Sequence, residues 1–269
     1  MPAETLRAVS QRPVRRLLAD ARNGCALPTF DGETRRGRSR EQRGLDLVGS
    51  LNAMSDLVTA AAVRYADEHT SPFKEQLAAA AAWTQSNTAS PQMMSGLAEA
   101  RLLEALIVAG GARRVLEIGT FTGVGSLTMA AALPADGRVT TLEVDEDNAA
   151  AARRHIDASP YGARVELIVG DALQTIGGLD GPFDLVYIDA WKADYPAYYD
   201  AVLPKLAERG VIVADNLFRG GAALDPTAAA DEGTTGIREF ARRAQADERM
   251  HNVLLTIGDG VMLAWHRPA

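Results

Sequence analysis

Residues Arg113–Ser126 read RRVLEIGTFTGVGS. Val115, Leu116 and Ile118 make a short apolar strand that breaks into a glycine-rich turn, after which a helix begins. Gly119, Gly123 and Gly125 remove the side chains that would keep a ligand from the backbone. The helix start beyond them presents free N–H groups. The spacing is G-x-x-x-G-x-G, unlike the G-x-G-x-x-G of dinucleotide folds. Glu117 closes the strand, and a carboxylate there is a poor neighbour for a pyrophosphate and a good one for a cation. Glycine patterns this loose are common, so the turn alone does not decide for a nucleoside-like cofactor.

On the C-terminal side the pattern alternates strand and helix. Strands are predicted at 113–118, 138–144, 164–169, 183–188 and 210–214, and helices at 123–132, 146–158, 171–177, 194–207 and 234–248. FDLVYI and GVIVA are continuous apolar runs, as in a parallel sheet covered on both faces. Two last strands, 251–257 and 260–266, flank Gly258-Asp259-Gly260, a turn short enough to make them an antiparallel hairpin. The expected fold is α/β: a doubly wound, Rossmann-like, seven-stranded sheet with an antiparallel C-terminal edge hairpin, preceded by helices.

On the N-terminal side, residues 1–44 form an arm with ten Arg, no Lys and five acids. Arg12–Arg22 has the spacing of a short helix, and Asn23–Gly44 reads as a loop. A solvated extension or subunit-contact arm is the simpler reading; a phosphate- or RNA-binding arm is the other. The main domain is expected over 45–269, with a helical cap over 45–85. The cap has Leu47, Leu51, Met54, Leu57, Val58 and Ala61 at helical spacing, then a helix after Ser71-Pro72 carrying Ala78–Ala82. Thr88–Gly96 is a loop, and Leu97–Val108 a helix.

Composition narrows the partners. A net charge of −7 argues against generic nucleic-acid binding. No apolar run approaches the ~20 residues that span a bilayer, and no secretory signal is read at the N-terminus. The single cysteine, Cys25, excludes an internal disulfide and a cysteine zinc site, and fits a reducing, cytoplasmic compartment.

Ligands of such sheets sit at the carboxyl ends of the strands. Here those ends carry Glu117, then Glu143 and Asp145, then Asp171, Asp189, and Asp215 with Asn216. Asp145 and Asp171 also fit as helix caps, whereas Asp189 and Asp215-Asn216 precede helices that begin only several residues later. Glu143, 24 residues past Gly119, suits a ribose diol, and Asp171 with Ala172 suits an adenine amino group. Asp189, Asp215 and Asn216 offer only oxygen donors, which suit Mg²⁺ or Ca²⁺ rather than zinc. The four histidines show no ligand spacing. Lys192, three residues after Asp189, is a candidate general base, and Trp191 offers a flat face for a purine or for packing.

Taken together these residues resemble the cation-dependent O-methyltransferases that use S-adenosylmethionine, a family that includes catechol and caffeoyl-CoA O-methyltransferases. The resemblance runs from about Leu45 to the C-terminus. VLEIGTFTG resembles the first cofactor motif, IDAWKADY the metal-and-lysine motif and ADN the second metal motif. SPQMMSG resembles the loop over the cofactor, and IGDGV the terminal hairpin. It implies that Glu117, Gly119, Thr120 and Phe121, with Gly125 and Ser126 beyond them, line the methionine part of the cofactor, with Met93 and Ser95 closing over it. Glu143 would hold the ribose, Asp171, Ala172 and Trp191 the adenine, and Asp189 would touch the cofactor as well. Asp189, Asp215 and Asn216 would bind Mg²⁺, Ca²⁺ or Mn²⁺, and Lys192 would be the base, with Asp189 beside it.

The implied reaction is methylation of a small-molecule phenol or catechol by a homodimer. The chain departs from the family in three places: Val124-Gly125 stands where Tyr-Ser is usual, Ala100 replaces a glycine, and Met262 stands where the catechol enzymes carry a glutamate. Two other readings stand beside this one: a tRNA-base O-methyltransferase on the same scaffold, and a non-catalytic nucleotide-binding subunit.

Overall fold

The computed structural model describes residues 60–225, 227 and 230–268. The arm 1–44, its expected helix and the apolar cap positions from Leu47 to Val58 lie outside the described residues.

The chain begins with α1 (Ala60–Glu68), α2 (Glu75–Asn87), a 3-10 turn at Pro91–Met93 and α3 (Leu97–Gly110). Then follow β1 (Arg114–Ile118), α4 (Val124–Ala132), β2 (Arg138–Glu143), α5 (Glu146–Ala158), β3 (Val165–Val169), α6 (Ala172–Ile176) and β4 (Phe183–Ile188). α7 (Tyr195–Val202), β5 (Leu206–Ala214), α8 (Glu232–Ala246), β6 (Met250–Leu255) and β7 (Val261–His266) complete it. The strands form one seven-stranded sheet in the order β3-β2-β1-β4-β5-β7-β6. β1 to β5 are parallel, and β7 runs antiparallel between β5 and β6. The expected doubly wound sheet with an antiparallel edge is therefore observed.

Alternation along the strands builds the two cores. Leu116, Ile118, Val186, Ile188 and Ile212 face Tyr195, Tyr199, Val202, Ile237 and Phe240 of α7 and α8. Val115, Val139, Leu185 and Val213 face the other way, toward Leu103 and Ile107 of α3 and Met129 of α4. Leu77 of α2 packs with Leu127, Ala152 and Ile156, so this helix of the predicted cap covers α4 and α5.

Several boundaries differ from expectation. The helix read over 194–207 ends at Val202, and the strand read from 210 begins at Leu206. Pro204 has no N–H to continue the helix and sits in a 3-10 turn over Leu203–Lys205. The pairing partners of Phe183 and Leu185 are Leu206 and Val211, so β5 carries an irregularity that no local pattern reveals. In the hairpin, β6 stops at Leu255, two residues short of its predicted end, and Gly258 and Gly260 take positive φ in the connection. Among the described residues no helix is long and apolar enough to cross a membrane.

Candidate active site

The carboxyl ends of β1, β2, β4 and β5 open into a cavity of about 970 Å³. Every site residue predicted above lines it except Ser126. Ser126 lies in α4, is fully buried and donates its hydroxyl to Glu117 Oε2.

At the β1 end, Gly119 has φ +100, and a Cβ built on it stands 2.2 Å from the Asp189 carbonyl oxygen. Only glycine lets the turn pass this close to the end of β4. Gly119→Ala is expected to cost about 2–4 kcal/mol of stability. Urea denaturation checks this, and an unchanged midpoint would show that the turn relaxes.

Glu117 is 1% exposed and accepts from Ser126 and Thr141, both at Oε2. Its Oε1 would sit 2.6 Å from a Cβ at Gly125, so glycine leaves that oxygen room at the helix start. Burial pushes its carboxyl from the ordinary 4.5 up to about 8, against the lowering by the two hydroxyls. Between those values the folded chain holds a proton that the unfolded chain has released. Its contribution to stability therefore falls as pH rises from 4.5 to 8. Glu117→Gln removes this titration. The ligand-free variant should match the parent near pH 5 and exceed it by about 2–4 kcal/mol at pH 8.5. Parallel stability curves for the two proteins would contradict this.

Glu143 is fixed by three backbone donors: Phe121 N–H to Oε2 at 2.7 Å, and Val144 and Asp145 N–H to Oε1 at 3.0 Å each. β2 and the glycine turn thus aim one carboxylate into the cavity. Asp145 and Asp171 cap α5 and α6, each accepting at 2.9 Å from the residue three positions on. Both line the cavity as well, so capping and a ligand role are compatible here.

The adjoining wall is built by β4, β5 and the turn after β4. Lys192 Nζ donates to Asp189 Oδ1 at 2.7 Å and to Tyr195 Oη at 2.9 Å. Tyr195 Oη is in turn 3.1 Å from the Ile188 and Asp215 carbonyls, which ties the lysine to both strand ends. Helix α8 presses on the same turn. A Cβ at Gly236 would stand 2.4 Å from the Lys192 carbonyl oxygen. Asp215 is 2% exposed and accepts from Tyr187 Oη at 3.0 Å and from the Asn216 N–H at 2.6 Å. Burial, then Asp189 and Glu99, push its carboxyl up to about 7. Asn216, with φ +61, adds an amide at the cavity wall.

Asp189, Asp215 and Asn216 thus offer hard oxygen donors where acids crowd one another, an arrangement that a divalent cation would relieve. Among the described residues no three His, Cys, Asp or Glu side chains are grouped to hold a metal; this trio has two carboxylates and one amide.

Four wall residues escaped the sequence reading. Tyr187 bonds Ser95 Oγ at 3.0 Å as well as Asp215, joining the 88–96 loop to the acids of β4 and β5. Its place two residues before Asp189, on the same strand face, was an available signal. Glu99, Arg219 and Asp259 arrive from α3, the segment after β5 and the hairpin turn, where no local pattern marks them. Met262 is buried in β7, so Asp259 is the acid that the hairpin turn supplies.

A family model described as O-methyltransferase matches residues 67–267. The chain belongs to the O-methyltransferase family. A catechol O-methyltransferase of Mycobacterium tuberculosis is 42% identical to this methyltransferase over 157 residues, 57% of the chain and 71% of the relative. Among solved structures, the O-methyltransferase TomG of Streptomyces achromogenes, determined with S-adenosylmethionine, has a TM-score of 0.70 and 32% identity over 76% of this chain and 95% of its own. The O-methyltransferase of Bacillus cereus, in complex with S-adenosylhomocysteine, has a TM-score of 0.71 and 30% identity, covering 77% of this chain and 97% of that one.

Proposed function

We propose that the protein transfers the methyl group of S-adenosylmethionine to a phenolic or catechol hydroxyl of a small molecule, with a divalent cation and Lys192 assisting. The observation that carries this is the placement of two unlike sets in one cavity. The glycine turn with Glu117 and Glu143, at the tips of β1 and β2, adjoins Lys192, Asp189, Asp215 and Asn216, at the tips of β4 and β5.

In this reading Glu117, Gly119, Thr120 and Phe121 hold the methionine part, Glu143 the ribose, and Asp171, Ala172 and Trp191 the adenine. Met93 and Ser95 cover it. The three backbone donors orient Glu143 before any ligand arrives, which lowers the cost of ordering it. Asp189, Asp215 and Asn216 would hold the cation. When bound, it would supply positive charge that stabilises an anionic acceptor oxygen. Lys192 Nζ would take the hydroxyl proton, its ammonium then resting between Asp189 and Tyr195. The deprotonated oxygen would attack the methyl carbon while the sulfonium leaves as a neutral thioether.

A panel of catechols, hydroxycinnamates and polyketide phenols, incubated with isotope-labelled S-adenosylmethionine with and without Mg²⁺, tests this. Labelled methyl ethers are expected in the Mg²⁺ arm; their absence across the panel would contradict the reading. The family resemblance also implies a homodimer, and light scattering should give twice the 28.6 kDa chain mass.

A further inference from the structure

Among the described residues nine carboxyl side chains but only two cations, Lys192 and Arg219, line the cavity. Lys192 is already paired with Asp189. Arg219 is not used by the reaction above, and its surroundings are costly to maintain. Its backbone has φ +53, in the left-handed region that few non-glycine residues adopt, and Gly220 and Gly221 continue in positive φ. The hairpin turn enforces this bend: both Asp259 carboxylate oxygens accept the Gly220 N–H, at 2.9 and 3.0 Å, and the Asp259 carbonyl accepts the Phe218 N–H at 2.7 Å.

The guanidinium lies on the start of α8, where a Cβ at Gly233 would stand 2.9 Å from Nη2. Nη2 donates to Asp231 at 3.2 Å, an exposed acid that water screens. Among the described residues Nε finds no hydrogen-bond partner, and it is the only buried side-chain nitrogen or oxygen among them without one. A buried donor left in this state costs free energy until an acceptor reaches it.

The position of the arginine indicates which ligand that acceptor belongs to. In the strand order, β4 separates β1, which feeds the methionine-side turn, from β5, which leads through Asn216 to Arg219. Arg219 therefore lies on the β5 side of the cavity, where the reading above places the acceptor. An uncharged catechol offers a guanidinium only neutral phenol oxygens and a ring face, whereas a carboxylate matches its fork with two stronger, charge-assisted hydrogen bonds.

We propose that Arg219 is a specificity-determining residue that selects acceptors carrying a carboxylate away from the reacting hydroxyl, as in a dihydroxybenzoic or dihydroxycinnamic acid. This rests on the acceptor class proposed above. The Asp231 pair orients the arginine but does not satisfy it.

The test compares 3,4-dihydroxybenzoate with its methyl ester, of nearly the same shape but uncharged. In the parent protein the acid should have the higher kcat/KM. Arg219→Gln should lower kcat/KM for the acid at least tenfold, mainly through KM, and leave the ester within about twofold. Arg219→Lys should restore part of the loss, and Asp231→Asn should keep or increase the preference for the acid. S-adenosylmethionine affinity, read by calorimetry, should not move in Arg219→Gln.

Equal losses for acid and ester would assign Arg219 to loop structure and overturn the proposal, as would a fall in cofactor affinity or a parent protein that prefers the ester. Turnover of the ester but not the acid would reject the carboxylate and leave the phenol reading standing. No turnover of either, with cofactor bound, would reject both.

Discussion

Asp215→Ala is expected to lower kcat/KM for methyl transfer by about a hundred- to a thousandfold, the scale on which loss of a charge-stabilising group is felt in an active site. Asp215 is 2% exposed at the end of β5, with Tyr187 and the Asn216 amide holding its two oxygens. Removing it takes away a carboxylate of the proposed cation set and leaves Asp189 with a single amide partner. The loss should not come from unfolding. The Asp215 carboxyl is pushed up to about 7 by burial and by Asp189 and Glu99, so its charged form is a burden on the ligand-free fold. The variant should therefore melt no lower than the parent at pH 8. In parallel, EDTA should silence the parent protein and excess Mg²⁺ should restore it. Full turnover in chelator would remove the cation from the mechanism.

Lys192→Ala is expected to lose about 10²–10⁴ in kcat, the range of a positioned general base, while S-adenosylmethionine affinity stays within about twofold. The two readouts separate because Lys192 is anchored by Asp189 and Tyr195 beyond β4, on the proposed acceptor side, whereas Glu117 and Glu143 stand at the tips of β1 and β2. Stopped turnover with normal calorimetric binding of the cofactor is the predicted pair. A large loss of affinity would place the lysine against the cofactor instead.

Much of this architecture is legible in the residues. FDLVYI and GVIVA are buried on both faces, so they read as parallel strands without any tertiary knowledge. The acids at successive strand ends converge because a parallel sheet carries all its carboxyl ends to one side. What was illegible depends on pairing across the chain. The early start of β5 at Leu206 follows from its irregular register with β4, not from local propensity. Ser126 falls off the cavity wall because the phase of α4 turns it toward Glu117. Tyr187 meets Asp215 across 28 residues, and Arg219 is bent by Asp259 across the hairpin turn, contacts that no window on the sequence contains.

The central claim is that the cation and the methyl donor share one cavity. Crystals of the protein soaked with Mn²⁺ and S-adenosylhomocysteine test it most directly, because the anomalous signal locates the ion independently of the organic ligand. The account predicts a manganese peak among Asp189, Asp215 and Asn216, with the thioether sulfur facing it from the Glu117–Phe121 side. A peak elsewhere, or none, with the nucleoside properly seated on Glu143, would contradict it.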